Sequence, residues 1–340
     1  MSGTSRPDLP PILVTGATGF TGSHLVRSLV ADGMRVRVLA RSATRAVARL
    51  PADIEVVEGE ISDPPSLARA LEGVKQVYHL AAAYREARHK EEYYWTVNFE
   101  GTRAMLDAAR AAGVRRFVHC STVGVLSHIA NPPADERQPH NPADVYQRTK
   151  SEAEKLALAR HEPAGMTVAV ARPTAIYGPG DTRLLKLFRS IATRRFIMLG
   201  SGEIYYHMVY VSDLISGLRL LGEHPRAAGE VFTLGGEGYF QLRAIVDLIA
   251  RLLEVSPPRQ RLPAWPFQLA GSVCERICVP FGIEPPIYRR RVDFFTKSRA
   301  FSIQKAKQML GYAPAVDLES GFRRTIDWYR ANGLLPPARS

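Results

Sequence analysis

The first half of the chain alternates short apolar runs with longer amphipathic segments. The apolar runs are rich in Val and Ile and lack the polar alternation of a half-exposed strand, which predicts strands covered on both faces. Each parallel return needs a crossover, and the amphipathic segments supply it as helices. The pattern therefore predicts an α/β protein with a doubly wound parallel sheet. The predicted strands are residues 12–15, 36–40, 54–58, 76–80, 116–121 and 167–171, and the predicted helices are 23–32, 65–71, 94–112 and 143–160.

The pattern changes after Arg172-Pro173, where turns and helices dominate. A short strand over 209–211, a helix from Asp213 and a strand over 231–234 predict that the chain re-enters the sheet. We expect residues 10–172, with returning segments near 205–235, to form the sheet domain. A smaller, mostly helical lobe is expected over 173–204 and 236–335. Its predicted helices cover 184–194, 241–255, 268–279 and 318–331.

A glycine-rich stretch joins the first predicted strand to the first helix and reads Thr15-Gly16-Ala17-Thr18-Gly19-Phe20-Thr21-Gly22. Glycines allow a sharp turn and close backbone approach by a pyrophosphate, and the following helix N-terminus carries a partial positive charge. The spacing Gly16-x-x-Gly19-x-x-Gly22 differs from the commoner G-x-G-x-x-G. An ordinary glycine turn is the alternative to a phosphate site.

Composition and charge narrow the partners. The 45 Lys and Arg residues exceed the 33 Asp and Glu residues, for a net charge of +12. The basic residues form short scattered groups without interleaved aromatics, which argues against nucleic acid and leaves weak peripheral attachment to anionic lipid open. No apolar run approaches the roughly 18 residues of a membrane span, and residues 1–8 lack a signal-peptide core, so a cytoplasmic protein is expected. The three cysteines form no metal-ligand pattern.

Tyr146 and Lys150 are four residues apart on a predicted helix and so share one face. A tyrosine titrates near ~10, and a nearby ammonium lowers that pKa, which makes the phenol usable as a general acid or base. Thr122 follows a predicted strand, at the edge where parallel sheets bind ligands. A surface Tyr and Lys without chemistry is the alternative.

Together with the glycine stretch, these residues make the chain similar to the extended branch of the short-chain dehydrogenase/reductase superfamily. That branch includes the NAD(P)-dependent epimerase/dehydratase and 3β-hydroxysteroid dehydrogenase-like families. The resemblance covers about residues 12–335 and implies a Rossmann-type fold. Further matching motifs are Gly59-Glu60-Ile61-Ser62-Asp63, His79-Leu80-Ala81-Ala82, Val97-Asn98-Phe99-Glu100-Gly101-Thr102, Cys120-Ser121-Thr122, the stretch 172–181 and Leu310-Gly311-Tyr312-Ala313-Pro314.

The resemblance implies roles for individual residues. Tyr146 is the general acid/base, Lys150 activates it and binds ribose, and Thr122 orients the substrate oxygen, with Ser121 as the competing hydroxyl. Asn98 is implied to have a structural role. The implied cofactor contacts are Gly16, Thr18, Gly19, Phe20, Thr21 and Gly22 at the diphosphate, Glu60 and Ile61 near the adenine, Ala81 and Ala82 along the channel, and Pro173 to Ile176 near the nicotinamide.

The end of the second predicted strand bears on the cofactor. NAD enzymes usually place a carboxylate there, which would repel a 2′-phosphate, whereas this chain has Ala40 followed by Arg41 and Ser42. A guanidinium and a hydroxyl suit a phosphate, so we expect NADP, with NAD as the alternative. The other interpretation of Arg41 is an exposed loop arginine.

The substrate is a small molecule whose class the sequence leaves open. Nucleotide-sugar members of the branch carry an arginine for the diphosphate where this chain has Tyr206 and His207, although Arg183 or Arg291 could supply the charge. We expect hydride transfer to or from a secondary alcohol or ketone of a sterol-like or other small molecule. A nucleotide-sugar 4-epimerase or dehydratase and a non-catalytic NADP-sensing regulator are the alternatives. An apolar lid is one interpretation of Trp265, Phe267, Leu269, Val273, Ile277 and Phe281.

The resemblance also implies a homodimer built on the helix over 94–112 and the helix that carries Tyr146. The sequence by itself contains no further evidence on this point.

Overall fold

The computed structural model describes residues 9–84, 90–278 and 289–337. Seven parallel strands form the central sheet, in the order β10-β6-β5-β4-β1-β2-β3. The predicted doubly wound parallel sheet is confirmed. Its strands are β1 (Ile12–Thr15), β2 (Val36–Ala40), β3 (Ile54–Glu58), β4 (Gln76–His79), β5 (Arg116–Cys120), β6 (Thr167–Pro173) and β10 (Val231–Leu234).

Helices cover both faces of the sheet because alternate strand residues point to opposite sides. Val14 packs in one apolar layer and its neighbour Leu13 in the other, and both side chains are buried. The helices up to the sixth strand are α1 (Phe20–Ala31), α2 (Ala43–Val47), α3 (Pro64–Leu71), α4 (Glu91–Tyr94), α5 (Gly101–Ala111) and α6 (Val145–Ala159). A π-helical turn, Trp95–Glu100, joins α4 to α5 where the sequence predicts one continuous helix.

The strand order reverses between β1 and β4. The chain leaves β1 toward β2 and leaves β4 toward β5, in opposite directions along the sheet, although Thr15 of β1 pairs with His79 of β4. A crevice opens beyond the carboxyl ends of strands at such a switch point, and ligands bind there in open α/β sheets. The crevice therefore locates the candidate site before any side chain is considered.

Within the described residues, the later part of the chain re-enters the central sheet through β10 alone. The expected return over 209–211 is wrong, because those residues belong to β9 (Tyr205–Tyr210) and the start of a helix. β9 pairs with β7 (Ala175–Tyr177) and β11 (Tyr239–Gln241) in a separate three-stranded sheet. The sequence does not reveal these two short partner strands. The division into two domains stays a prediction.

The remaining described elements are short strands and helices that follow β6, and some of these helices pack on the central sheet, as Val211–Glu223 does against β5 and β6. Strands β8 (Met198–Leu199) and β12 (Arg261–Leu262) pair with each other. The helices are α7 (Leu185–Ala192), α8 (Val211–Glu223), α9 (Leu242–Leu252), α10 (Trp265–Cys278), α11 (Arg289–Thr296), α12 (Gln304–Leu310) and α13 (Leu318–Ala331).

Candidate active site

The glycine loop after β1 has no room for a side chain at Gly16 or at Gly22. Gly16 has φ of +71°, and a Cβ there would lie 2.7 Å from the Ala81 backbone nitrogen. A Cβ at Gly22 would meet the carbonyl oxygen of Gly16. Gly19 is the N-cap of α1 and provides no capping side chain, and the first turn of the helix holds no acidic residue. The loop and helix thus present backbone N–H groups to the crevice, an arrangement that fits a diphosphate.

A buried series of side-chain hydrogen bonds lies directly behind this loop. The Thr15 hydroxyl and His79 Nδ1 are 2.9 Å apart, and His79 Nε2 lies 3.0 Å from the Thr102 hydroxyl. Thr15 Oγ1 also accepts a hydrogen bond of 3.3 Å from the N–H of Ala81. Burial, together with the charge of Lys150, lowers the pKa of His79 to about 3, so the ring is neutral at neutral pH. These hydrogen bonds fix the loops after β1 and β4 relative to each other.

Asn98 connects the π-helical turn to the rest of the site. Its Oδ1 accepts from the N–H of Ala83 at 2.7 Å, and its Nδ2 donates to the Ala83 carbonyl at 3.2 Å and to Thr149 Oγ1 at 3.0 Å. Asn98 is buried, and Thr149 lies on α6 next to the Tyr146–Lys150 pair. The amide therefore holds the loop after β4 against the helix that carries the predicted chemistry.

Tyr146 and Lys150 lie one turn apart on α6, whose N-terminus is capped by Asp144, with the N–H of Gln147 donating to its carboxylate at 2.8 Å. Lys150 is only 1% exposed, and its Nζ donates to the carbonyl of Cys120 at the end of β5, 2.8 Å away. Burial lowers the pKa of the ammonium, while Cys120 and Glu154 act in the opposite direction. Packing has thus fixed the lysine beside the end of β5. Tyr146 is buried, and its ring contacts Tyr84 edge-on at 5.2 Å.

Ser121 and Thr122 have different surroundings. Ser121 is buried, and its hydroxyl donates to the carboxylate of Glu154. Thr122 is half-buried and caps the turn Val123–Leu126, where its Oγ1 accepts from the N–H of Gly124 at 3.0 Å. The Ser121 hydroxyl therefore uses its hydrogen within the protein. In its bond to Gly124, the Thr122 hydroxyl uses only its oxygen, as an acceptor.

Glu154 is the centre of a buried ionic cluster beneath the site. Its carboxylate is fully buried and pairs with Arg172 on β6, with Nε to Oε1 at 3.0 Å, and with His140 Nε2 at 3.1 Å. Burial alone would raise the pKa of Glu154, but hydrogen bonds from His140 and Arg172, the Arg172 charge and the Ser121 hydroxyl outweigh it. They lower the pKa to about 2. The sequence does not reveal the partners of this cluster, and its one signal there is the position of Glu154, four residues after Lys150.

A pocket at the end of β2 is lined by Thr18, Ala40, Arg41, Ser42 and Arg45. Ser42 caps α2 by accepting from the N–H of Arg45 at 3.3 Å, and both arginines are exposed. The structure thus brings the two predicted residues Arg41 and Ser42 together with Thr18 of the glycine loop. Arg45 was not predicted, although it follows Arg41 by one helical turn, which is the signal available in the sequence.

The other predicted cofactor residues lie at the same edge of the sheet. Glu60 and Ile61 follow β3, and Ile61 is half-buried and packs against Gly101 of α5. After β4, Ala81 is half-buried and Ala82 is exposed. At the far side, Pro173 is the buried last residue of β6 and Ile176 is a half-buried residue of β7. In the glycine loop, Thr18, Phe20 and Thr21 are half-buried.

Arg183 lies between the glycine loop and the Tyr84–Tyr146 pair. Its guanidinium carbon is 5.4 Å from the ring centre of Phe20 and 5.8 Å from that of Tyr84. The Asp181 carboxylate accepts from Nε at 2.6 Å and holds the side chain in place. A cation therefore lies at the mouth of the crevice.

The Tyr206 side chain on β9 is buried and lies between Phe294 and the guanidinium of Arg299. The Tyr206 hydroxyl donates to the carbonyl of Phe294 at 2.8 Å and accepts from Arg299 at 2.7 Å. The ring centres of Tyr206 and Phe294 are 5.0 Å apart. Burial raises the pKa of the phenol. The neighbouring His207 is buried, with Nε2 2.8 Å from the carbonyl of Gly236. Of the residues considered for a lid, Phe281 and the side chains of Ile277 and of the alternative cation Arg291 lie outside the described residues.

Comparisons with known proteins bear on the family and the fold of this chain. The model of the NAD dependent epimerase/dehydratase family matches residues 12–235. A 3-beta-hydroxysteroid dehydrogenase of Mycolicibacterium neoaurum is 31% identical over 353 residues, covering 96% of this chain and 93% of the relative. A 4-hydroxy-2-methyl-3-oxo-4-farnesyl-3,4-dihydroquinoline-1-oxide ketoreductase of Stigmatella aurantiaca is 31% identical over 318 residues, covering 91% and 93%. The crystal structure of gox2253 superposes with a TM-score of 0.81 at 31% identity, covering 96% of this chain and 100% of that one.

Proposed function

Because this chain belongs to the NAD dependent epimerase/dehydratase family, an enzyme family of the extended short-chain dehydrogenase type, we propose that it oxidises or reduces an apolar secondary alcohol or ketone. The family membership confirms the resemblance and makes the protein an NAD-dependent oxidoreductase in the broad sense. The sterol-like substrate, the preference for NADP and the individual residue roles are our proposals. The observation that carries the proposed redox chemistry is the pair Tyr146 and Lys150 on α6, with Lys150 Nζ held by the Cys120 carbonyl two residues before Thr122.

Three residues of the chain share the proposed tasks of proton transfer and substrate positioning. A bound nicotinamide would supply or accept the hydride. Lys150, which is buried and fixed, keeps a positive charge near Tyr146 and thereby stabilises its phenolate. Tyr146 then moves the proton at the substrate oxygen, and Thr122 donates a hydrogen bond that holds this oxygen in position. Thr122 is preferred over Ser121 because the Ser121 hydroxyl is committed to Glu154.

The loop after β2 supports NADP as the preferred form. Two guanidinium groups, Arg41 and Arg45, and the Ser42 hydroxyl line one pocket beside Thr18, and this combination suits a 2′-phosphate. Replacing Arg41 by Ala should weaken NADPH binding about tenfold or more and leave NADH binding nearly unchanged. Arg115→Ala, an exposed arginine after α5, is the matched control. Equal losses for both cofactors would refute the preference.

The surroundings of Tyr206 support an apolar substrate. The hydroxyl both donates and accepts within the protein, and Phe294 packs against its ring. This position therefore holds a buried phenol where nucleotide-sugar members carry a cation, and the nearby Arg299 guanidinium is already bonded to that phenol. The relatives named above include one hydroxysteroid dehydrogenase and one ketoreductase of a farnesyl-bearing quinoline.

The second candidate is a nucleotide-sugar 4-epimerase or dehydratase, and Arg183 is the observation that favours it. Its guanidinium lies at the mouth of the crevice between Phe20 and Tyr84, where it could bind a diphosphate. In that case the cofactor would be reduced and reoxidised within one catalytic cycle, so substrate would be converted without net consumption of cofactor.

One experiment separates the candidates. Purified protein is incubated with NADP and sterols or other apolar alcohols, and separately with nucleotide sugars, while nicotinamide absorbance and product are both measured. Net absorbance change with an apolar alcohol supports our proposal, and product without absorbance change supports the epimerase. Tyr146→Phe should abolish turnover and keep cofactor affinity. Full activity of that variant would contradict the assignment, and cofactor binding without turnover on any substrate would favour the regulator.

A further inference from the structure

The outer face of α10 is apolar although it is exposed. Trp265, Leu269 and Val273 are 67%, 60% and 47% exposed. They are four residues apart, so they form one row that turns through only about 80° of the helix. Leu262, just before the helix, is 41% exposed. Of the nine large apolar side chains that are exposed in the described part of the chain, these four lie within twelve residues.

Basic residues lie on this face of α10 and in the segment that leads into the helix. Arg276 follows Val273 by three residues and Leu269 by seven, so it lies on the face of the apolar row, and it is exposed. Arg259 and Arg261 precede the helix and are exposed as well. The only acidic residue of the sequence from Val255 to Cys278 is Glu275. The chain as a whole carries a net charge of +12.

A second helix of the same length shows that this composition is specific to α10. Both α10 and α13 have 14 residues. The outward positions of α13 include Arg323, Arg324 and Asp327, all exposed. The outer face of α13 is therefore charged, whereas that of α10 has a row of Trp, Leu and Val with Arg276 beside it.

We propose that the outer face of α10 docks on the surface of a lipid bilayer that contains anionic lipid. A helix that lies in the interface buries its apolar row among the acyl chains near the headgroups, where Trp is favoured, and its arginines meet lipid phosphates. The helix lies on the membrane and does not cross it. None of the helices in residues 9–84, 90–278 and 289–337 combines the length and apolarity that a crossing requires.

The position of α10 gives the docking a use. α10 packs against α11, which holds Phe294 beside Tyr206. Docking would thus bring the lobe around Tyr206 to the bilayer, in which apolar alcohols concentrate. This use rests on the proposed function, but the docking surface does not.

The test is co-sedimentation of the full chain with vesicles of phosphatidylcholine alone, and with vesicles in which about a third of the lipid is phosphatidylglycerol. We expect binding to the anionic vesicles that weakens as salt is added. The double variant Trp265→Ser/Leu269→Ser should lose at least about tenfold in binding, and Arg276→Glu should also weaken it. The control Val47→Ser removes an apolar side chain of α2 that is 65% exposed and should bind like the unmodified protein.

Other results overturn the proposal. These are no binding to anionic vesicles, equal binding to both vesicle types, or unchanged binding of the double variant and of Arg276→Glu. A further possibility is that the face joins two copies of this chain. In that case the unmodified protein would not bind vesicles, and sedimentation velocity would show a dimer of the unmodified protein that the double variant does not form. A homodimer built on α5 and α6 would instead persist in the double variant. Tyr146→Phe should bind vesicles normally, so failure of the proposed chemistry and failure of docking are distinguishable.

Discussion

Replacing Glu154 by glutamine tests the buried cluster beneath the site. The carboxylate is fully buried and satisfies Arg172, His140 and Ser121 at once. Glutamine has nearly the same shape but no charge, so it leaves the Arg172 guanidinium buried without its counterion. Breaking a buried pair from one side costs about 3 to 5 kcal/mol. We expect a loss of this size in the free energy of unfolding at pH 7.

The pH dependence gives an independent value. The pKa of Glu154 is about 2 in the folded protein against an ordinary value of 4.5, which corresponds to about 3 kcal/mol of stability. Because the folded pKa is the lower one, this stability is present above about pH 4.5 and is lost as the pH falls toward 2. At pH 3 about 2 kcal/mol of it has gone. The difference between the unmodified protein and Glu154→Gln should therefore narrow by that amount.

The assay is urea unfolding followed by tryptophan fluorescence at pH 7 and pH 3. Glu152→Gln is the matched control, since Glu152 lies on the same helix and pairs with Lys155 at 2.7 Å on an exposed face. It should change stability by no more than about 0.5 kcal/mol. Adding Arg172→Met to Glu154→Gln removes both charges and should recover part of the loss. Equal stability of Glu154→Gln and the unmodified protein at pH 7, or a difference that does not narrow at pH 3, would refute this reasoning.

Four further substitutions test the site. Thr122→Val should lower kcat about a hundredfold with cofactor affinity unchanged. Ser121→Ala should keep turnover and cost about 1 to 3 kcal/mol in the free energy of unfolding. A larger loss of kcat in Ser121→Ala than in Thr122→Val would make Ser121 the reacting hydroxyl. Gly22→Ala should weaken cofactor binding at least about tenfold in titration calorimetry, because its methyl group meets a loop carbonyl, and unchanged affinity would contradict the tight loop. Asn98→Leu leaves the Ala83 N–H and carbonyl unpaired, so urea unfolding should show a loss of about 2 to 4 kcal/mol, and no loss would contradict its bridging role.

The central sheet and the local motifs could be predicted from the sequence. Each strand of the central sheet is a short apolar run that is visible without knowledge of its neighbours, so all seven are predicted with errors of at most two residues at their ends. The glycine loop and the Tyr146–Lys150 spacing are also local, because a turn and a helix face depend on residues a few positions apart. Parallel pairing then places all strand ends at one edge, which is why the separate motifs meet.

Only the tertiary structure decided which polar groups are partners and which apolar groups are exposed. Glu154 meets Arg172 and Ser121, and His79 meets Thr15 and Thr102, across many residues of intervening chain. A sequence pattern shows that such groups exist but not what satisfies them once buried. The apolar row of α10 is the opposite case. Its helical spacing is the same as that of a core helix, and the packing of the surrounding elements alone leaves it on the surface.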